Sequence, residues 1–188
     1  MRSSALALLL LAPPLFAQEP VVIERVLAAV NGRPVLLSSM TLVARVKGLE
    51  AKPALEATID ERLMAEEAAQ LPQAAVSQEE EDRGYESLIT KFGGLPGDVA
   101  EPELRRLVRR EMTILKYVDF RFRTEVRVTD AEVQKAYDEK YGSSPRPPSL
   151  VSVAESLRLA LEDQQVGQAV DGWVKELRSA ADIRYQGP

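Results

Sequence analysis

From Glu103 to Arg123 the sequence reads ELRRLVRREMTILKYVDFRFR, the longest periodic segment in the chain. At about 100° per residue, Leu104, Leu107, Val108, Leu115, Val118 and Phe122 share one narrow stripe, and Arg105, Arg106, Arg109 and Lys116 lie opposite. The pattern predicts an amphipathic helix of about five turns, opened by Ala100, Glu101 and Pro102. Glu111 falls on the apolar stripe, where an unpaired carboxylate is costly, so it is expected to be a buried structural acceptor. Tyr117 and Phe120 do the reverse. They point off the stripe, toward the cationic side, and either pack on a second element or stand in water.

Upstream, the β-branched run from Val21 to Val30 stops at Asn31-Gly32 and resumes at Pro34-Val35-Leu36-Leu37. Two short strands about an Asn-Gly turn predict a β-hairpin, which is too small to be stable alone. Ser38 and Ser39 are expected to cap a short helix from Met40 to Gly48. A second helix follows from Pro53 to Leu71, its broad apolar arc of Leu55, Ile59, Leu63, Met64 and Ala68 implying more than one neighbour.

Ser77 with Glu80 forms a capping-box pattern for a third helix, whose stripe is Tyr85, Leu88, Ile89 and Phe92 and whose stop is Gly93-Gly94. Its acidic start, Glu79 to Asp82, matches the helix dipole better than it matches a cation site, because adjacent carboxylates on a helix do not converge. Thr129 with Glu132 repeats the capping pattern for a fourth helix that runs to Gly142. Ser143 to Ser149 is rich in proline and serine and reads as a linker. Beyond it, Val153, Leu157 and Leu161 give way to a second stripe, Val166, Val170, Trp173 and Leu177. Either the helix breaks near Gly167 or one long helix offers its halves to different partners, and we favour the second. Trp173 is then a core anchor joining this helix to the central one. The tail from Asp182 to Tyr185 alternates as a strand and would supply the third strand that the hairpin lacks.

The chain has 188 residues, and residues 1–17, with one Arg, an apolar run and Leu15-Phe16-Ala17, read as a secretory signal cleaved after Ala17. The mature chain then carries 23 basic and 29 acidic side chains, −6, which disfavours nucleic acid as a partner. The sequence has no cysteine and no histidine. That removes disulfides, Ser-His and Cys-His nucleophiles and the HExxH zinc site, and neither cofactor nor metal is expected. The signal is too short for a permanent membrane anchor.

The order of these segments resembles the SurA-type periplasmic chaperones and the related secreted parvulin foldases. The resemblance rests on VIERVLAAVNGRPVLLSSM, IDERLMAEEAAQL, VSQEEED and the stretch from ELRRLV to DEKY, with AVDGWVKELRSAADIRY resembling the family's closing helix and strand. It implies a mainly α, multi-helix SurA amino-terminal-type domain, with the small hairpin completed by the carboxy-terminal strand. Residues 18–141 would form the chaperone-like domain, 142–149 a linker, and 150–188 the helix and strand that complete it. In many family members a parvulin prolyl isomerase domain occupies the place of that linker. This chain has neither the length nor the histidines for one, so isomerase activity is not expected.

What the resemblance implies is a periplasmic holdase without enzymatic activity, binding unfolded or extended polypeptides, with outer-membrane proteins as the client class. Tyr117 and Phe120 are the first candidates for client contact, and Tyr85 and Phe92 the second. The alternative is a structural or adaptor subunit docking on one folded cell-envelope partner.

Overall fold

A computed structural model describes residues 24–96 and 99–186. The signal and its cleavage point lie outside them, as do residues 21–23 of the first apolar run. The hairpin forms as expected, from β1 (Val26–Val30) and β2 (Arg33–Leu36). Its turn residues take positive φ, 50° at Asn31 and 76° at Gly32, the twist that a two-residue hairpin needs. The chain passes straight from β2 into α1 (Leu37–Lys47). Ser38 is therefore inside the first turn, its hydroxyl donating to the Glu24 carboxylate at 2.5 Å, and no serine caps the helix.

Helix α2 (Ala51–Ala68) holds Pro53 in its first turn, where a missing N–H costs nothing. A short 3₁₀ turn, Pro72–Ala74, leads to α3 (Gln78–Phe92). Both capping bonds are made: the Ser77 side chain accepts from Glu80 N at 3.2 Å, and Ser77 N donates to the Glu80 carboxylate at 2.8 Å. Ser77→Ala should cost about 1 kcal/mol, read as a lower urea midpoint at constant slope, while Ser77→Asp should not.

The central helix α4 (Glu101–Val118) continues into one wide π turn, Asp119–Arg123. Leu104 and Leu107 pack with Leu42 and Val43 of α1, and Tyr85, Leu88 and Ile89 of α3 close that cluster. Gly84 makes the approach of α3 possible. A Cβ there would lie 2.7 Å from the Met112 sulfur and 2.9 Å from Val108 Cγ1. Further along α4 the buried face turns to Ile114, and Leu115, expected on the stripe, is 59% exposed. The helix has passed from α1 and α3 toward α6, leaving Leu115 on a side that neither covers.

Helix α5 (Asp130–Tyr141) begins at a second complete capping box, Thr129 with Glu132. Helix α6 (Leu150–Ala180) is continuous through Gly167. Its first half packs on α5 and its second half on α2 and the π turn, so the rotated stripes do serve different partners. Arg158 fastens the α5 hairpin, bonding Val128 O at 3.1 Å and Asp130 at 2.8 Å.

The tail returns as β3 (Ile183–Tyr185), antiparallel to β1, giving the sheet order β2-β1-β3. Asn31 bonds Asp182 twice, by N–H to carbonyl at 2.9 Å and by Oδ1 to amide at 3.0 Å. Under the sheet, Ala28, Val30 and Val35 meet Ile59 and Leu63 of α2, with Leu177 and Ile183 packed against them. Arg178 binds α2 through Asp60 and, at 2.6 Å, Glu56.

Candidate polypeptide-binding site

Three rings gather where α4, the π turn and α6 meet. Tyr117 stacks on Trp173 with centroids 4.7 Å apart and planes at 17°, and Phe122 tilts against Trp173 at 5.6 Å. Tyr117 and Phe122 are five residues apart, which on a regular helix would separate them by about 140°. The π turn absorbs an extra residue and sets them edge to face at 6.2 Å. Trp173 is 8% exposed and Tyr117 and Phe122 are half-buried, so the cluster is part core and part surface. It lines an open groove of about 640 Å³, in which Arg121, Glu67 and Glu176 supply both signs of charge.

The other aromatic candidates are dispersed. Phe120, beside two groove residues in sequence, is 48% exposed and joins none of the three rings. Tyr85 lies in the α1–α3–α4 cluster with the Arg105 guanidinium 4.2 Å above its ring. Phe92 is 37% exposed at the end of α3 and is not part of the groove's lining. The structure thus brings Tyr117 to Trp173, adds Phe122, and separates these from Tyr85 and Phe92.

Glu111 belongs to a charged cluster between α1, α2 and α4. Lys47 of α1 reaches Glu61 Oε1 of α2 at 2.6 Å and Glu111 Oε1 at 2.9 Å, and Arg110 reaches the other oxygen of Glu61 at 3.3 Å. Neither Oε1 accepts an aligned hydrogen bond, so the approach of the ammonium is its whole compensation. Glu61 is the most enclosed charge, 2% exposed. Burial first, and then the Glu111 carboxylate, push it up to about 6 against the pull of Lys47. Burial alone would lower Lys47, but the two carboxylates outweigh it and hold the ammonium above its ordinary value. Lys47 also lines two smaller grooves, one with Leu88, Leu107 and Met112 and one with Met64, Val170 and Val174.

On the cationic side of α4, Arg105, Arg109 and Lys116 are paired with α3, and Arg106 stays exposed. Arg105 binds Asp82 and Glu101, both at 2.7 Å, Arg109 binds the buried Glu81, and Lys116 binds Glu80 at 2.9 Å. The bond from Ser77 N, reinforced by Lys116, holds Glu80 down to about 2. The acidic start of α3 is therefore a docking strip for α4, and among the described residues no group of acids converges as a metal site. No helix among them is long and apolar enough to cross a membrane.

No protein-family model matches this sequence, and no curated protein matches it. Among solved structures the chain is similar to one from Campylobacter jejuni, where the virulence factor PEB4 and the periplasmic protein Cj1289 are two structurally related SurA-like chaperones. The match has a TM-score of 0.57 at 11% identity and covers 87% of this chain and 99% of that one. At that identity the likeness is one of fold: among the described residues, six α-helices closed by a small sheet form a mainly α, SurA-like architecture.

Proposed function

We propose that the protein is a holdase-type chaperone of the periplasm that binds unfolded polypeptides, outer-membrane proteins among them, without isomerase activity. The observation that carries the reading is the open groove built on Tyr117, Phe122 and Trp173, with Phe120 exposed in the same π turn but outside the groove's lining. Rings fixed on one side and open on the other offer apolar area to an extended chain at little entropic cost, while Arg121, Glu67 and Glu176 keep the surface soluble. The fold likeness to SurA-like chaperones supports the reading, as does the signal-like start of the sequence. The lack of any histidine and the short connection between α5 and α6 support the absence of isomerase chemistry.

Residues 18–188 should slow aggregation of an unfolded outer-membrane barrel protein and bind extended aromatic-rich peptides at tens of micromolar. Phe120→Ser, on the surface, should weaken peptide binding about threefold without changing the melting temperature. Prolyl-peptide isomerisation should stay at background. Failure to slow aggregation together with no peptide binding would sink the reading, and capture of one folded partner at fixed stoichiometry would replace it with an adaptor role.

A further inference from the structure

The two outer edges of the sheet are built differently. On β2 the outward-facing residues are Pro34, which has no N–H, and Leu36, where the chain turns into α1, and Arg62 Nη1 donates to the Pro34 carbonyl at 2.6 Å and to Arg33 O at 3.1 Å. Among the described residues, that edge offers only the Leu36 N–H to a further strand. On β3 the bonds to β1 run from Asn31 N to Asp182 O at 2.9 Å and from Gln186 N to Leu27 O at 2.8 Å. By antiparallel alternation Arg184 also faces β1, and the N–H and C=O groups of Ile183 and Tyr185 point away from the sheet. Among the described residues nothing bonds to those four groups, and Asp182, Arg184, Tyr185 and Gln186 are all exposed.

We propose that the outer edge of β3 docks one extended segment of an unfolded client as a fourth strand, by main-chain hydrogen bonds to Ile183 and Tyr185. Main-chain pairing is indifferent to sequence, which suits a binder of many clients. The flanking side chains add a preference. Ile183 packs on the face that carries Ile59 and Leu63, and the Tyr185 hydroxyl reaches Glu56 at 3.0 Å on that same face. Arg184 projects from the other face, its side chain 75% exposed and paired with Asp182 at 2.8 Å, so that face is polar rather than cationic. The added strand is therefore favoured when apolar residues alternate with polar ones, the pattern of a transmembrane β-barrel strand. With only three residues, β3 gives a weak, releasable pairing. The inference deepens the holdase reading and rests on it for the class of client.

The probe is a nine-residue peptide of alternating tyrosine and glutamate, titrated into the full mature chain. N-methylating the alternate amides that would face β3 should weaken binding about tenfold, and methylating the other set should not. Tyr185→Pro removes an outward N–H, leaves the bonds to β1 intact, and should weaken binding by the same factor. Tyr185→Ala loses only the side chain and should weaken it about twofold. Equal binding of both methylated peptides overturns the proposal even where Tyr185→Pro fails to fold. A dimer in sedimentation that Tyr185→Pro abolishes also overturns it, because the edge then belongs to a second copy. If aggregation is slowed but methylation has no effect, this inference fails and the holdase reading stands; if methylation matters but aggregation is not slowed, the reverse holds.

Discussion

Lys47→Met should lower the unfolding free energy by about 3 kcal/mol at pH 7.5, measured as a fall in urea midpoint at constant slope. Methionine keeps the length and apolar stem of lysine, so what is lost is the ammonium that lies within 2.9 Å of both Glu61 and Glu111. Two carboxylates then face each other with Arg110 as the remaining cation, and one of them, Glu61, is 2% exposed. A buried charge stripped of its partner is far costlier than the pair was favourable. The deficit should shrink toward pH 4.5, because a protonated Glu61 needs no counterion.

The sign for the native chain runs the opposite way from an ordinary salt-bridged acid. Glu61 sits above its ordinary 4.5, at about 6, so the folded state holds its proton more tightly than the unfolded chain. Its contribution is fully present below about pH 4.5 and is lost as pH rises through about 6, a difference of roughly 2 kcal/mol. Glu61→Gln should therefore be no less stable than the native chain at pH 7.5 and should flatten the dependence between pH 4.5 and 6.5. A glutamine variant as damaged as Lys47→Met, or a Lys47→Met loss that does not respond to pH, would refute this account of the cluster.

How much of this was readable in advance depended on whether the physics was local. The Asn31-Gly32 turn, the boxes at Ser77 and Thr129 and the αL stop at Gly93 are each settled within four or five residues, and each stands where the sequence places it. The closure of the sheet was legible because a hairpin without a third strand and a tail with strand alternation answer each other. The Ser38–Ser39 cap failed because a strand bond, Leu37 N to Arg25 O at 2.8 Å, starts the helix earlier than the serines could. Glu111 stands out because it interrupts a narrow stripe, but it is not the buried acceptor expected there: its side chain is 33% exposed and is held by Lys47. Glu61 does not stand out, since α2 faces several neighbours and a polar residue inside so broad an arc breaks no pattern.

The aromatic site divides in the same way. Tyr117 stood out by lying off the stripe, but its partner Trp173 is fifty-six positions away and was placed only as an anchor on the central helix. Phe122 counted as stripe because a regular helix puts it there, and the π turn that aims it at Trp173 leaves no local mark in DFRFR. Gly84 is similar. Only the adjoining Met112 and Val108 reveal why a side chain cannot stand there.

Trp173→Ala should be the most damaging single substitution in the chain, costing about 4 kcal/mol. Helix α6 has 31 residues yet only Leu157, Val166 and Trp173 are buried, and Leu157 belongs to the half that packs on α5. The end that carries Arg178 and β3 is held to the body by Trp173 with its two ring partners, by Leu177 and Ile183 on the core under the sheet, by the pairing with β1 and by the Arg178 ion pairs to α2, and of these contacts Trp173 is the largest buried side chain. Without the indole, the amides of β3 and of the last turns of α6 should exchange at least tenfold faster, because their opening loses its largest buried contact. The amides of α1, α3 and the first half of α4 share a separate cluster and should change less. Since Trp173 is the only tryptophan, Tyr117→Leu gives an independent optical test: it should shift the emission to longer wavelength and cost about 1 to 2 kcal/mol. A loss below about 1 kcal/mol for Trp173→Ala, with β3 as protected as before, would mean that the tail is held by the sheet and the ion pairs alone, and that the rings exist for the groove they line rather than for the fold.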